Sequence, residues 1–337
     1  MDILALFLIA AAGMMQGTFV VPLKATTKWE YENTWLLFCF IGFVALPLLL
    51  VGYTIPHFSQ VLLTSPLKDV VLAALFGVAW GCGAVLFGLG AEKLGVGLGL
   101  SIISGLSSTL GSLIPWAIAG PQPLSYSLLL WVGVVVMLAG VVVCARAGML
   151  REQKNKFKTQ EETRGRQFAK GLLICIGSGV LVSCLNLGFI SGARVTVRAE
   201  TLGATHANAP NMLWAIIMGA GFLPNALYCG WLLIRKQSWQ KFAARESVSY
   251  LGWTFIMGIL WTGSLIVYGS GVNKIGALGP SLGWPILSSV NIVTSNLWGV
   301  ITGEWRGAGR EAARIMMIGI LILVLAIVIF GWASAKT

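Results

Sequence analysis

Apolar runs of about twenty residues follow one another along almost the whole chain, separated by short polar or glycine- and proline-rich stretches. As a helix, a run of that length covers about 30 Å, the thickness of a bilayer's hydrocarbon core. Ten runs can be read, at about 3–22, 34–53, 68–91, 94–118, 125–147, 170–192, 209–233, 249–270, 275–302 and 312–333. Their breaks are marked by Lys24 to Asn33, Pro56 to Pro66, Glu92-Lys93 and Gly120-Pro121-Gln122-Pro123. Backbone groups in lipid must be satisfied within their own segment, so the runs are read as helices and the fold class as an all-α polytopic membrane protein. Composition closes off the main alternative. Of 337 residues, 57% are hydrophobic and 10% charged, with mean hydropathy +0.84. A soluble domain carries roughly 25% charged residues, so a water-soluble enzyme is excluded.

The charges that are present sort by side. With the N-terminus outside, 18 of the 23 Lys and Arg residues fall in inner loops and 5 in outer ones. Cytoplasmic loops hold such an excess, so both termini are expected in the periplasm, with membrane lipid as the surrounding partner. The net charge of +11 therefore follows membrane orientation, and no nucleic-acid partner is expected. The longest polar stretch divides the chain into a first five-helix repeat (1–150), a basic cytoplasmic linker (151–170) and a second, inverted five-helix repeat (171–337). Asp2, with no Lys or Arg before Lys24, does not make the basic start of a cleaved signal, and the first run is read as a retained helix. Six cysteines lie inside apolar runs without metal-type spacing and are read as small buried hydrophobes.

The inverted repeat rests on a match at a fixed offset of 181. Gly77, Trp80, Gly88, Gly90, Lys93, Gly95, Leu106, Ser107 and Ser108 meet identical residues at Gly258, Trp261, Gly269, Gly271, Lys274, Gly276, Leu287, Ser288 and Ser289. A displacement of five helices, an odd number, makes the copies cross in opposite directions. Secondary transporters often use this plan, with substrate bound near the midplane between repeats. A duplication kept only for packing gives the same pattern.

Trp80 and Trp261 fall near the middle of their runs, where membrane tryptophan is unusual. They are candidates to line a cavity, ring faces stacking on a solute, although helix packing also uses such a pair. Ser107, Ser108, Ser288, Ser289 and Asn291 share that depth, as do Gln16 and Asn186. Hydroxyls and amides there need partners, which a neutral polyhydroxylated ligand or a neighbouring helix supplies. Pro224 beside Asn225, Pro280 and Pro285 are candidate helix breaks, or equally kinks that packing absorbs. No acidic residue lies mid-run. Glu32, Glu92 and Glu304, with Lys28 and Arg310, cluster in the inner loops as a candidate gate or proton-coupling group. The same cluster also reads as a solvated basic rim. No P-loop, zinc motif or nucleophile elbow occurs, so no enzyme activity, ATP drive, metal or cofactor is expected.

Several motifs together resemble one family. They are Lys24 to Trp35 with Lys28-Trp29-Glu30-Tyr31-Glu32, Phe76-Gly77-Val-Ala-Trp80-Gly81-Cys-Gly83, Arg146-Ala147-Gly148 and Glu304-Trp305-Arg-Gly-Ala308-Gly309-Arg310. This set is similar to the L-rhamnose/proton symporter family of the drug/metabolite transporter superfamily, from the first run to the last. The resemblance implies a ten-helix, five-plus-five carrier in the bacterial inner membrane that imports a sugar with protons by alternating access. Lys28, Trp29, Glu32, Trp35, Trp80, Gly81, Gly83, Glu304, Trp305 and Arg310 are the matching positions. The second half departs more, at Trp261-Thr262-Gly263-Ser264 and Gly279 to Trp284, which leaves the sugar and its proton coupling open. An exporter or facilitator of another metabolite, or a membrane sensor that no longer transports, are the other readings at this stage.

Overall fold

A computed structural model describes residues 3–94, 96–155, 164–303, 305 and 308–335, and every regular element among them is helical. α1 (Ile3–Thr18) leads into a 3₁₀ turn (Val21–Ala25), opened by Pro22, whose fixed φ and missing N–H suit a first turn. α2 (Tyr31–Cys39), a π-helical turn (Phe40–Ala45) and α3 (Leu46–Thr54) make up the second run. A short α4 (Phe58–Thr64) precedes α5 (Leu67–Leu94), α6 (Val96–Ile118) and α7 (Leu124–Asn155). The second half runs through α8 (Arg164–Ser191), the short α9 (Ala193–Thr201), α10 (Pro210–Lys236), a 3₁₀ turn (Ser238–Ala243), α11 (Ser247–Ile275), α12 (Gly279–Ile301) and α13 (Gly309–Ser334). The linker expected at 151–170 is helical at both ends, and 156–163 lie outside the described residues.

Eight segments among the described residues are long and apolar enough to cross a membrane: α1 with its turn, α2–α3, α5, α7, α8–α9, α10, α11 and α13. α6 and α12, 23 residues each, carry the serine-rich stretches. Leu49, Leu128, Leu173, Leu227 and Leu321 point outward and are exposed, which suits contact with lipid. Pro115, Pro224 and Pro285 all sit inside continuous helices. The breaks expected at Pro224 and Pro285 are thus absent, and Pro280 falls in the first turn of α12, where proline costs no hydrogen bond.

The helices pair in a regular way: α5 lies against α8 and α10, while α11 lies against α1 and the α2–π segment. Likewise α6 meets α8, α12 meets α1, and α7 meets α13. Close approach depends on missing side chains. A Cβ on Gly77 or Gly81 would run into the backbone of Ile217 or Gly221 on α10, so glycine lets α5 and α10 touch backbone to backbone, as small residues do in membrane interfaces. Gly221 in turn leaves room for the indole of Trp80. On the other side, Thr262 Oγ1 donates to the Gly42 carbonyl in the π turn at 2.7 Å. This fixes the widened turn against α11.

Candidate functional site

These contacts leave a central cavity of about 150 Å³ between α1, α2, α5, α6, α8, α11 and α12. Trp80 and Trp261 stack in its wall with ring centroids 5.7 Å apart and planes 16° apart. Phe43 lies 4.9 Å from Trp80 and Phe19 4.9 Å from Trp261, extending an aromatic floor to Phe38 and Trp35. Gln16, Ser104, Ser107, Ser288 and Asn291 supply the polar part, and no charged side chain lines it among the described residues. Gln16 is 6% exposed, and its Nε2 is a buried donor without a partner, as is Trp261 Nε1. An unmade hydrogen bond in a buried site costs on the order of 1–3 kcal/mol. Both atoms therefore gain from a ligand that offers acceptor oxygens.

Of the nine residues expected to bind substrate, Gln16, Trp80, Ser107, Trp261, Ser288 and Asn291 lie in the wall, and Ser108, Asn186 and Ser289 do not. Ser108 and Ser289 are buried without hydrogen-bond partners for their hydroxyls. Asn186 is already engaged. Its Nδ2 donates to the carbonyls of Gly111 at 2.7 Å and Pro280 at 3.3 Å, and its Oδ1 accepts from Tyr268 at 2.8 Å. It ties α8 to α6, α11 and α12 in a layer with Trp284, Phe189 and Trp214. Ser104, Phe19, Phe38, Phe43, Phe87 and Trp284 line the cavity and were not anticipated. Ser104 shares a helix face with Ser107 and Ser108, a spacing that could have revealed it.

Beyond the cavity, polar contacts join the helices on both sides of the protein. At the end away from the linker, the Arg194 guanidinium binds both oxygens of Asp69, at 2.7 and 2.6 Å, and Arg198 donates to Thr64 at 2.8 Å. At the linker end, the segment before α2 docks on the connection between α10 and α11. Glu32 is fully buried and accepts from Ser238 Oγ at 2.6 Å and Lys236 Nζ at 3.1 Å. Asn33 Nδ2 donates to the Ser238 carbonyl at 2.9 Å, and Trp29 Nε1 to the Lys241 carbonyl at 3.1 Å. Lys241 pairs with Glu30 at 2.5 Å, and Lys28 pairs with Glu246. Glu246's carboxyl is held below its ordinary range, first by the hydrogen bond from Lys28, whose ammonium is raised by the same bond. That outer pair is intact at neutral pH and is lost as pH falls through the lowered value of Glu246.

Lys28 and Glu32, expected as gate residues, thus both contact the α10–α11 connection at the linker end, Lys28 through Glu246 and Glu32 through Lys236 and Ser238. Arg310 is exposed at the start of α13. Glu304 and the side chain of Glu92 lie outside the described residues.

Apolar helices around a cavity whose described wall carries aromatic rings and amides and no charge define a multi-pass membrane transporter for a small neutral solute. Residues 1–336 match the family described as L-rhamnose-proton symport protein. The chain is also 25% identical, over 331 residues, to L-rhamnose-proton symporters of Salmonella typhimurium, Salmonella newport and Salmonella enteritidis PT4. Each alignment covers 94% of this chain and 94% of the relative. The protein belongs to the L-rhamnose-proton symport family.

Proposed function

We propose that the protein imports L-rhamnose or a related neutral sugar together with protons, by alternating access. Ten spans act as two inverted repeats, 1–150 and 171–337, joined by a cytoplasmic linker at 151–170. The observation that carries the reading is a cavity with no charge among its described lining residues, whose stacked Trp80 and Trp261 stand beside the open donors of Gln16 and Trp261. A sugar presents both a C–H face for the rings and hydroxyls for the donors. Gln16, Ser107, Ser288 and Asn291 hydrogen-bond it, and Trp80 and Trp261 stack on it. Asn186 holds together the helices that carry the wall, through Gly111, Pro280 and Tyr268.

The inverted plan has support from the pairings: α5 with α8 mirrors α11 with α1, α6 with α8 mirrors α12 with α1, and α5 with α10 mirrors α11 with α2. The stacked tryptophans then lie where the two copies meet. The positive-inside bias supports an inner-membrane protein with both termini in the periplasm. A C-terminal reporter active only in the periplasm is expected to be active, and an inactive, stably inserted fusion reverses this topology.

Energised vesicles are expected to accumulate labelled L-rhamnose against its gradient, and a protonophore to abolish the accumulation. The lack of a carboxylate in the described cavity wall favours one second reading, facilitated diffusion. In that case uptake is saturable, stops at equilibrium and ignores the protonophore.

A further inference from the structure

A symporter needs a group that exchanges protons in step with its substrate, and the described wall of the cavity has none. Two described carboxylates are nearly or fully buried elsewhere, Asp69 and Glu32. Asp69 is held by two short bonds from Arg194, on the side of the protein away from the linker. Glu32 has different surroundings. From α10 it faces the Lys236 ammonium, which is 48% exposed, and the Cys229 thiol; from the following 3₁₀ turn it faces the Ser238 hydroxyl. The flanking charges, Lys28 with Glu246 and Lys241 with Glu30, are already paired with each other.

Glu32 is also tied mechanically to the sugar cavity. It opens α2, and Trp35, one turn further along the same face, lines the cavity. Trp35 Nε1 donates to Asn225 Oδ1 of α10 at 3.0 Å. Asn225 Nδ2 in turn reaches the carbonyls of Gly221 at 3.0 Å and of Gly81, the residue after Trp80, at 3.3 Å. So α2 and α10 are fastened twice: beside the cavity by Trp35 and Asn225, and at the linker end by Glu32, Lys236 and Ser238.

We infer that Glu32 is the proton-coupling site, and that its contact with Lys236 and Ser238 is the latch closing the linker end. The inference rests on the symport reading above. The step is a simple proton exchange. A proton arriving through the cavity binds a Glu32 carboxylate oxygen and neutralises it, while Lys236 keeps its own proton and turns to solvent. The ion pair is lost, and a sugar pressing on Trp35 and Phe38 strains the inner fastening of the same helix. With both weakened, the linker end opens. Glu32 then releases its proton to water on that side, and the recovered charge draws Lys236 back. Trp35 and Asn225 are positioning residues here, since neither takes up the proton.

The test measures protons taken up per sugar in proteoliposomes loaded with a pH dye, for the parent and for Glu32→Gln. The ratio is expected to fall at least tenfold in the variant, and a ratio equal to the parent's overturns the inference while leaving symport intact. A parent that moves sugar with no proton uptake overturns the symport reading, and this one with it. If Glu32→Gln moves too little sugar to give a ratio, the pH profile of Lys236→Gln decides. Without the neighbouring ammonium the carboxyl holds its proton to higher pH, so the alkaline limit of uptake is expected to shift upward. A limit unchanged from the parent's refutes the assignment. Glu32→Asp, which keeps a carboxyl, is expected to retain coupling, and its uncoupling would also overturn the inference.

Discussion

Truncating Trp80 to alanine is expected to weaken L-rhamnose binding by about 30-fold, or roughly 2 kcal/mol. The indole is 3% exposed, seats on Gly221, and lies against Phe43 and Trp261. Removing it takes away one ring face of the cavity and releases its stacked neighbour. An indole buries about 150–250 Å², and at about 25 cal/mol per Å² even the third or half facing a ligand is worth on the order of 2 kcal/mol. Trp261→Ala is expected to lose somewhat more, because it also deletes the open Nε1 donor. The two losses are not additive, since each ring orders the other. Titration calorimetry of the purified protein measures the affinities. Core Trp→Ala changes also cost about 3–5 kcal/mol of stability, so Trp80→Phe serves beside them, keeping an aromatic face while losing part of its area. A well-folded Trp80→Ala protein that binds L-rhamnose like the parent removes the cavity from consideration as the sugar site.

Gly81→Val is expected to have a still larger effect, on assembly rather than on affinity. The added Cβ meets the carbonyl of Gly221, and relief requires two long helices to move apart along their contact. Overpacking usually costs about 1–3 kcal/mol, and here the obstacle is backbone, not a side chain that can swing away. The same shift breaks the bond from Asn225 to the Gly81 carbonyl and withdraws Trp80 from its seat. The yield of monodisperse protein after detergent extraction is expected to fall at least tenfold. Gly52→Val is the matched control, because a Cβ there meets nothing within 4 Å. Equal yields for both variants refute the close-approach account.

The helices were legible in the sequence because lipid enforces a simple code: long apolar runs, with charge gathered at the breaks. That code weakened where the chain serves the cavity. α6 and α12 hold many small and polar residues, and their role is visible only from what they face. The tryptophan pair stood out because both rings lie mid-run, and they meet in space. Asn186 shared the depth of the site, yet depth alone does not distinguish an amide facing a cavity from one spent on the carbonyls of Gly111 and Pro280. Phe38 and Phe43 escaped notice for a different reason. Phe38 lies just before the π turn and Phe43 within it, where the regular helical period that relates sequence to face is interrupted. Glu32 falls among loop charges in the sequence, and its complete burial depends on Ser238 and Lys236, more than two hundred residues away.

The π turn at Phe40–Ala45 sets the rotational phase of the second span. Its N–H from Leu46 reaches back to the Ile41 carbonyl, five residues instead of four, so the turn holds one residue more than an α-helix does. One residue corresponds to about 100° of rotation about the axis. The extra residue is what allows Trp35 and Phe38 to face the cavity while Val51 and Ile55, beyond the turn, face the packing cluster with Val61 and Val195. Two surfaces at different angles are thus served by one continuous rod. An insertion or deletion here changes no side chain in either surface, yet it dials one of them away from its partner.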